Sequence, residues 1–218
     1  MASSLSWFCL AGLILGLAMI IPGVLGLAGD YPLVQAWIIV GLGFYLTRGL
    51  HWDGWADVWD GWASQAEKDE FWVVVKDSHV GVFGVIGLIF GLGGQVVLVG
   101  EVVRAGEWSF IVWSVMTGRF GAVALAWAGK KYPRPGLGAV FLEGAGSRAF
   151  ICNLIVLMVF SALFIPIYPA IVSLALMILG VFLLYDLGRR NQCINGDFLG
   201  AAIIWGELSA LLSFVLAG

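Results

Sequence analysis

Seven stretches of the chain are almost continuously apolar: residues 7–27, 32–50, 81–103, 108–128, 149–165, 170–187 and 198–217. Each is close to the roughly 20 residues that a membrane-crossing helix needs. The fifth and sixth are parted only by Pro166, Tyr168 and Pro169. Two prolines remove two backbone donors and break a helix, so two spans with a tight turn are predicted there. Pro22, inside the first run, is expected to bend it. The first run starts with no Lys or Arg ahead of it, unlike a cleaved signal peptide, and reads as a retained span. The pattern predicts an all-α, polytopic membrane helix bundle of about seven transmembrane helices, a single domain over residues 1–218, set in a lipid bilayer.

Composition narrows the picture. Apolar types make up 61% of the 218 residues and charged types 11%, with a mean hydropathy of +0.99. A soluble domain carries about twice that share of charge, and a disordered chain is poor in apolar residues. The net charge of -3, with no basic stripe, argues against nucleic acid as a partner. Cys9, Cys152 and Cys193 are far apart and form no metal-binding spacing; the first two are expected to pack in apolar runs. The 31 glycines are scattered mainly through the spans, where small residues let helices approach closely. Oligomeric state is left open, with a homo-oligomer among the options.

Lys and Arg set the orientation. Arg48, Lys68, Lys76, Lys130, Lys131, Arg134, Arg148, Arg189 and Arg190 fall on one side of a seven-span topology, and Arg104 alone on the other. By the positive-inside rule the crowded side is cytoplasmic, which places the N-terminus inside and the C-terminus outside the cytoplasmic (inner) membrane. The connections on that side are long and those opposite are short, so chemistry is expected at the cytoplasmic surface.

The segment His51-Trp52-Asp53-Gly54-Trp55-Ala56-Asp57-Val58-Trp59-Asp60-Gly61 carries the strongest chemical signal. Asp53, Asp57 and Asp60 are spaced i, i+4, i+7 and share one helix face. Like charges so placed repel, and a cation among them would relieve that repulsion. Hard carboxylate oxygens select Mg²⁺, Ca²⁺ or Mn²⁺ over zinc, and Mg²⁺ commonly bridges one or two carboxylates to substrate phosphates. A phosphate or pyrophosphate substrate is therefore expected. The plain alternative is a solvated acidic loop anchored by interfacial tryptophans, which the spacing and the glycines at 54 and 61 argue against.

Lys76-Asp77-Ser78-His79 closes the same connection and offers a phosphate grip, another hard ligand or base, and hydrogen-bonding groups; His79 by itself reads as a surface residue. Arg119 and Glu207 are ionisable residues well inside spans, hence functional candidates. Arg119 stands eleven residues from Lys130 and Glu207 ten from Asp197, so both lie at a similar depth and are expected to pair. Arg134, between Pro133 and Pro135, is the best phosphate candidate of the basic loops.

These motifs resemble those of the cobalamin synthases, the adenosylcobinamide-GDP ribazoletransferase family. Residues 48–61 resemble the family's opening motif and Lys76-Asp77-Ser78-His79-Val80-Gly81-Val82-Phe83-Gly84 its second. Gly118-Arg119 with Tyr132-Pro133-Arg134-Pro135-Gly136-Leu137-Gly138 resembles the third region. Asn195-Gly196-Asp197-Phe198-Leu199-Gly200-Ala201 with Glu207 resembles the C-terminal motif. The order is kept, although His79 stands where the family usually has arginine. The resemblance implies a Mg²⁺-dependent membrane enzyme whose substrates are adenosylcobinamide-GDP and α-ribazole or its 5'-phosphate. GMP would leave and adenosylcobalamin or its 5'-phosphate would form. On that reading Asp53, Asp57, Asp60 and Asp77 hold the metal, and Asp77 and Lys76 are catalytic. His51, Ser78, Arg119, Arg134, Asp197 and Glu207 are expected to bind substrate. A rival is a CDP-alcohol type phosphotransferase, disfavoured because Asp57-Val58 stands where that signature has Ala-Arg. A transporter is disfavoured because only two spans carry an ionisable residue, and a structural scaffold because the motif set is ordered.

Overall fold

A computed structural model describes residues 2–134 and 136–217, the side chains of 2–4 and 137 excepted. Among them are ten α-helices and no strand. After a 3-10 segment at Ala2–Trp7 come α1 (Phe8–Val24), α2 (Pro32–Thr47), α3 (Leu50–Ala63), α4 (Asp69–Val75) and α5 (Val82–Ala105). Then follow α6 (Trp108–Ala128), α7 (Leu137–Gly144), α8 (Ser147–Phe164), α9 (Ile167–Arg190) and α10 (Gly196–Ala217). All-α architecture and multiple apolar crossings agree with the hydropathy pattern.

Six helices are long and apolar enough to cross a membrane; a seventh span is counted only if α2 and α3 are taken as one broken unit bent by 91°. Here the expected second span, 32–50, needs correction. It ends at Thr47, and Arg48 and Gly49 both take left-handed backbone (φ 54 and 66) before the chain turns sideways into α3. Two consecutive left-handed residues cannot continue an α-helix. Since α2 runs along the bundle, α3 runs roughly across it. The break at the fifth connection falls at Ile165 and Pro166, and Pro169 sits in the first turn of α9, where its missing N–H is not needed. Pro22 stands in the last turn of α1. The long connections predicted on one side hold α3, α4 and α7.

Burial orders the bundle. The membrane-length window of α6 is 89% buried, against 22–33% for α1, α5, α8 and α9, so α6 is the axis and the others face outward. The outer helices expose Ile14, Phe90, Leu163 and Phe182, as a lipid-facing surface does. α10, the next most enclosed, lies against α6, α9 and α3. Two facing glycines let it approach α6 closely: a Cβ on Gly118 would stand 2.6 Å from the Ile203 carbonyl oxygen, and one on Gly206 would stand 2.7 Å from Gly118 Cα.

Helix-to-helix contact at these glycines predicts the effect of one methyl. Gly206→Ala should destabilise the protein by about 1–3 kcal/mol, the usual cost of overpacking. Reversible unfolding in detergent measures it; an unchanged transition would mean that the helices are farther apart.

Candidate active site

The site is built around α3. Its second residue is His51, and Asp53, Asp57 and Asp60 follow at helical spacing. Gly54 puts α3 directly against the start of α10: a Cβ there would stand 2.7 Å from Asp197 Cα and from its carbonyl oxygen. Asp197 thereby joins the α3 carboxylates. Burial first, then the charges of Asp197, Asp53 and Asp60, push Asp57 up to about 7. Asp53 is exposed, whereas Asp57 and Asp197 are half-buried.

Asp60 has a different attachment from the one expected. Its two carboxylate oxygens accept hydrogen bonds from the backbone N–H groups of Gly81 and Gly84, each at 2.8 Å. These amides open α5 and have no partner within that helix. Asp60 therefore caps α5 from a neighbouring element, with its negative charge at the positive end of the helix dipole. Asp60 is thus anchored to α5 while its charge still acts on Asp57, and Asp197 stands beside the acidic face as a further carboxylate. Among the described residues no three His, Cys, Asp or Glu side chains stand as a ready-made metal cage. These carboxylates, Asp53 exposed and Asp57 and Asp197 half-buried, offer hard oxygens that suit a cation such as Mg²⁺, which takes one or two protein carboxylates and fills its shell with water and phosphate.

The loop after α4 brings the second group. Lys76 caps α4 at its C-terminus. Asp77 accepts from the His79 backbone N–H at 2.9 Å, and its Oδ1 lies 2.8 Å from the His79 ring Nδ1. These contacts, the backbone one first, hold the Asp77 carboxyl below the usual carboxylate range. Ser78 is exposed beside them.

The basic loops converge on the same end. Ile194 N–H donates to the Tyr132 carbonyl at 2.7 Å, so the loops before α7 and before α10 are joined. Arg134 lies over the Trp72 ring, 4.2 Å from its centroid, a cation–π contact that fixes the guanidinium above α4. Pro135, the other proline of that motif, lies outside the described residues. Asn195 Nδ2 donates to Asp197 Oδ2 at 2.6 Å, which orients the carboxylate.

Arg119 and Glu207, expected at equal depth, do form an ion pair between α6 and α10. Both are buried, at 4% and 6% exposure, and Gln95 Nε2 on α5 donates to the second Glu207 oxygen at 2.8 Å. His51 and Arg119 share a cavity of about 20 Å³, enough for a water molecule and too small for a phosphate. The structure thus places this pair beneath α3, with His51 at the start of α3 turned to the same small cavity rather than to the exposed groups.

Two contributors escaped the sequence reading. Gln95 could have been noticed as an amide inside an apolar span. Asn191 gave no signal, yet its Oδ1 accepts from Lys68 N–H at 2.8 Å and its carbonyl accepts from Trp72 Nε1 at 3.2 Å. It ties α4 to the loop before α10.

Fold and site together define a polytopic membrane protein with carboxylates and cations gathered at one end of its bundle. The family described as cobalamin-5-phosphate synthase matches residues 1–215, and the chain belongs to it. An adenosylcobinamide-GDP ribazoletransferase of Nitratidesulfovibrio vulgaris (strain DSM 19637 / Miyazaki F) is 43% identical over all of this chain and 86% of its own length. One of Chlorobium phaeobacteroides (strain BS1) is 32% identical over 98% of this chain and 88% of its own. No solved structure matches.

Two outcomes test this geometry. Asp57 is a carboxyl raised from 3.8 to about 7 on folding. Raised this way, it binds more protons in the folded than in the unfolded state between those values, so stability falls as pH rises through that window. Asp57→Asn should therefore stabilise the metal-free protein increasingly from about pH 4 to pH 7, with the gain level above; a gain independent of pH in thermal melts would contradict it. Glu207→Ala leaves Arg119 without its counter-charge and should cost about 3–5 kcal/mol, whereas replacing both by Met should cost less. Unfolding of the single and double variants in detergent gives the comparison.

Proposed function

We infer that this chain transfers the adenosylcobinamide-phosphate part of adenosylcobinamide-GDP to α-ribazole or α-ribazole 5'-phosphate. It does so with release of GMP, forming adenosylcobalamin or its 5'-phosphate. The observation that carries the reading is the family match over residues 1–215, with the acidic helix α3 held against the Asn195–Asp197 turn.

The ribazole hydroxyl attacks the phosphorus that bears cobinamide, the bond from that phosphorus to the GMP oxygen breaks, and the hydroxyl proton passes to a base. We propose that Asp53 and Asp57, with Asp197 beside them, hold Mg²⁺. When bound, that ion offsets the charge on the diphosphate oxygens. Asp77 is ionised at neutral pH, because its His79 contacts favour the charged form. It can act as a further ligand or receive the hydroxyl proton. In this reading Lys76 and Arg134 grip phosphates, and the contact of Arg134 with Trp72 means that less side-chain freedom is lost on binding. Ser78 offers a hydroxyl to the substrate. Arg119 and Glu207 join α6 to α10 beneath the site, and His51 holds the start of α3 over the small cavity beside them. Asp60 contributes by fixing α3 on α5.

The groups in this assignment lie on the side rich in Lys and Arg, so the reading places them at the cytoplasmic face of the inner membrane, with the N-terminus inside and the C-terminus outside.

Membranes carrying the protein, incubated with adenosylcobinamide-GDP, α-ribazole and Mg²⁺, should yield GMP and the joined corrinoid. Asp53→Asn should insert normally and lose turnover. Normal turnover in that variant would refute the metal assignment, and transfer from a CDP-linked substrate instead would refute the reaction.

A further inference from the structure

A cavity of about 410 Å³ lies between α3, α9 and α10. Its volume is that of a small-molecule site, in the range of about 300–1,000 Å³. It is not part of the site above. Trp55, Trp59 and Trp62 line it, and each stands two positions after one of Asp53, Asp57 and Asp60. Two positions turn a helix by about 200°, so the cavity is on the back of α3, away from the carboxylates.

Its walls are ring faces and aliphatic carbons. Trp205 forms part of the wall and packs over Gly180, where any Cβ would collide with the indole. The polar ends of two of these rings are already engaged: Trp205 Nε1 donates to the Leu176 carbonyl at 2.8 Å, and Trp55 Nε1 to that of Gly87 at 2.9 Å. Leu184 and Leu187 of α9 complete the apolar part. Charged side chains line it only where α9 ends, at Asp186 and Arg190. Arg189 and Arg190 both pair with Asp186, so two cations share one anion and this rim keeps a net positive charge. The mouth is flanked by outward-facing Leu183 and Trp62, half or more exposed, and so opens toward the bilayer.

An apolar slot, reached from the side of a membrane bundle and carrying cations at one end, matches one chemistry. We propose that it holds an acyl chain of an anionic phospholipid from the surrounding leaflet, with the head group on Arg190 and Arg189. The chain fills the space behind α3 and braces the helix whose other face carries Asp53 and Asp57. Apolar walls give a water-soluble ligand few partners, whereas the lipid is already there at high concentration. The binding claim is independent of the reaction proposed above; only its effect on turnover rests on that reading.

The test is native mass spectrometry of the full-length protein released from mild detergent, with phosphatidylglycerol and phosphatidylcholine as probes. The wild type should retain one phospholipid. The double variant Leu184→Phe/Leu187→Phe fills the cavity and should retain none, with circular dichroism and melting confirming its fold. Arg190→Gln, which leaves the apolar walls intact, should weaken phosphatidylglycerol retention about fivefold and leave phosphatidylcholine unchanged. Delipidated wild type should regain turnover on addition of phosphatidylglycerol vesicles, and the filled variant should not respond. Equal retention by the filled variant, or equal affinity of Arg190→Gln for phosphatidylglycerol, overturns the proposal. So does displacement of the lipid by α-ribazole, which would make the cavity a substrate subsite.

Discussion

An ionised group in hydrocarbon must be answered by another, and the Arg119–Glu207 pair is where this bundle meets that demand. The pair joins its two most enclosed helices, α6 and α10, and Gln95 extends it to α5. The attraction gains strength because water is excluded, and the same exclusion makes a lone partner expensive. Facing glycines at 118 and 206 bring the helices close enough for the side chains to meet. Close packing and charge pairing therefore depend on each other, and α10 cannot slide along α6 without losing both.

From that fixed α10 the rest of the site follows. Gly54 lets α3 rest on the first turn of α10, and Asp60 pins the far end of α3 to the start of α5. A short helix with both ends tied has few ways to tilt. Its polar face collects Asp53 and Asp57 beside Asp197, and its aromatic face lies on the opposite side. Loops from three parts of the chain are then drawn to the same end by Asn191, by Arg134 on Trp72, and by the Tyr132–Ile194 hydrogen bond.

Much of this could be read from the residues. Long apolar runs announce membrane helices because lipid leaves the backbone no other partner, and equal spacing from the basic loops anticipated the Arg119–Glu207 pair. The acidic helix was legible as a periodicity. Its partners were not. Periodicity shows which residues share a face, and says nothing of what stands opposite, so the hold of Asp60 on the start of α5 could not be foreseen. The end of α2 was hidden for a related reason: Leu50 continues the apolar run, and hydropathy does not register the left-handed backbone at Arg48 and Gly49. Asn191 is a single amide in a polar loop, without any pattern to mark it.

The contact between Gly54 and Asp197 spans most of the polypeptide. During biosynthesis the aspartate helix emerges early, and Asp197 can reach it only after α10 has left the ribosome. Assembly of the acidic face is thus a late event, and a translation product interrupted before α10 lacks the wall that completes it.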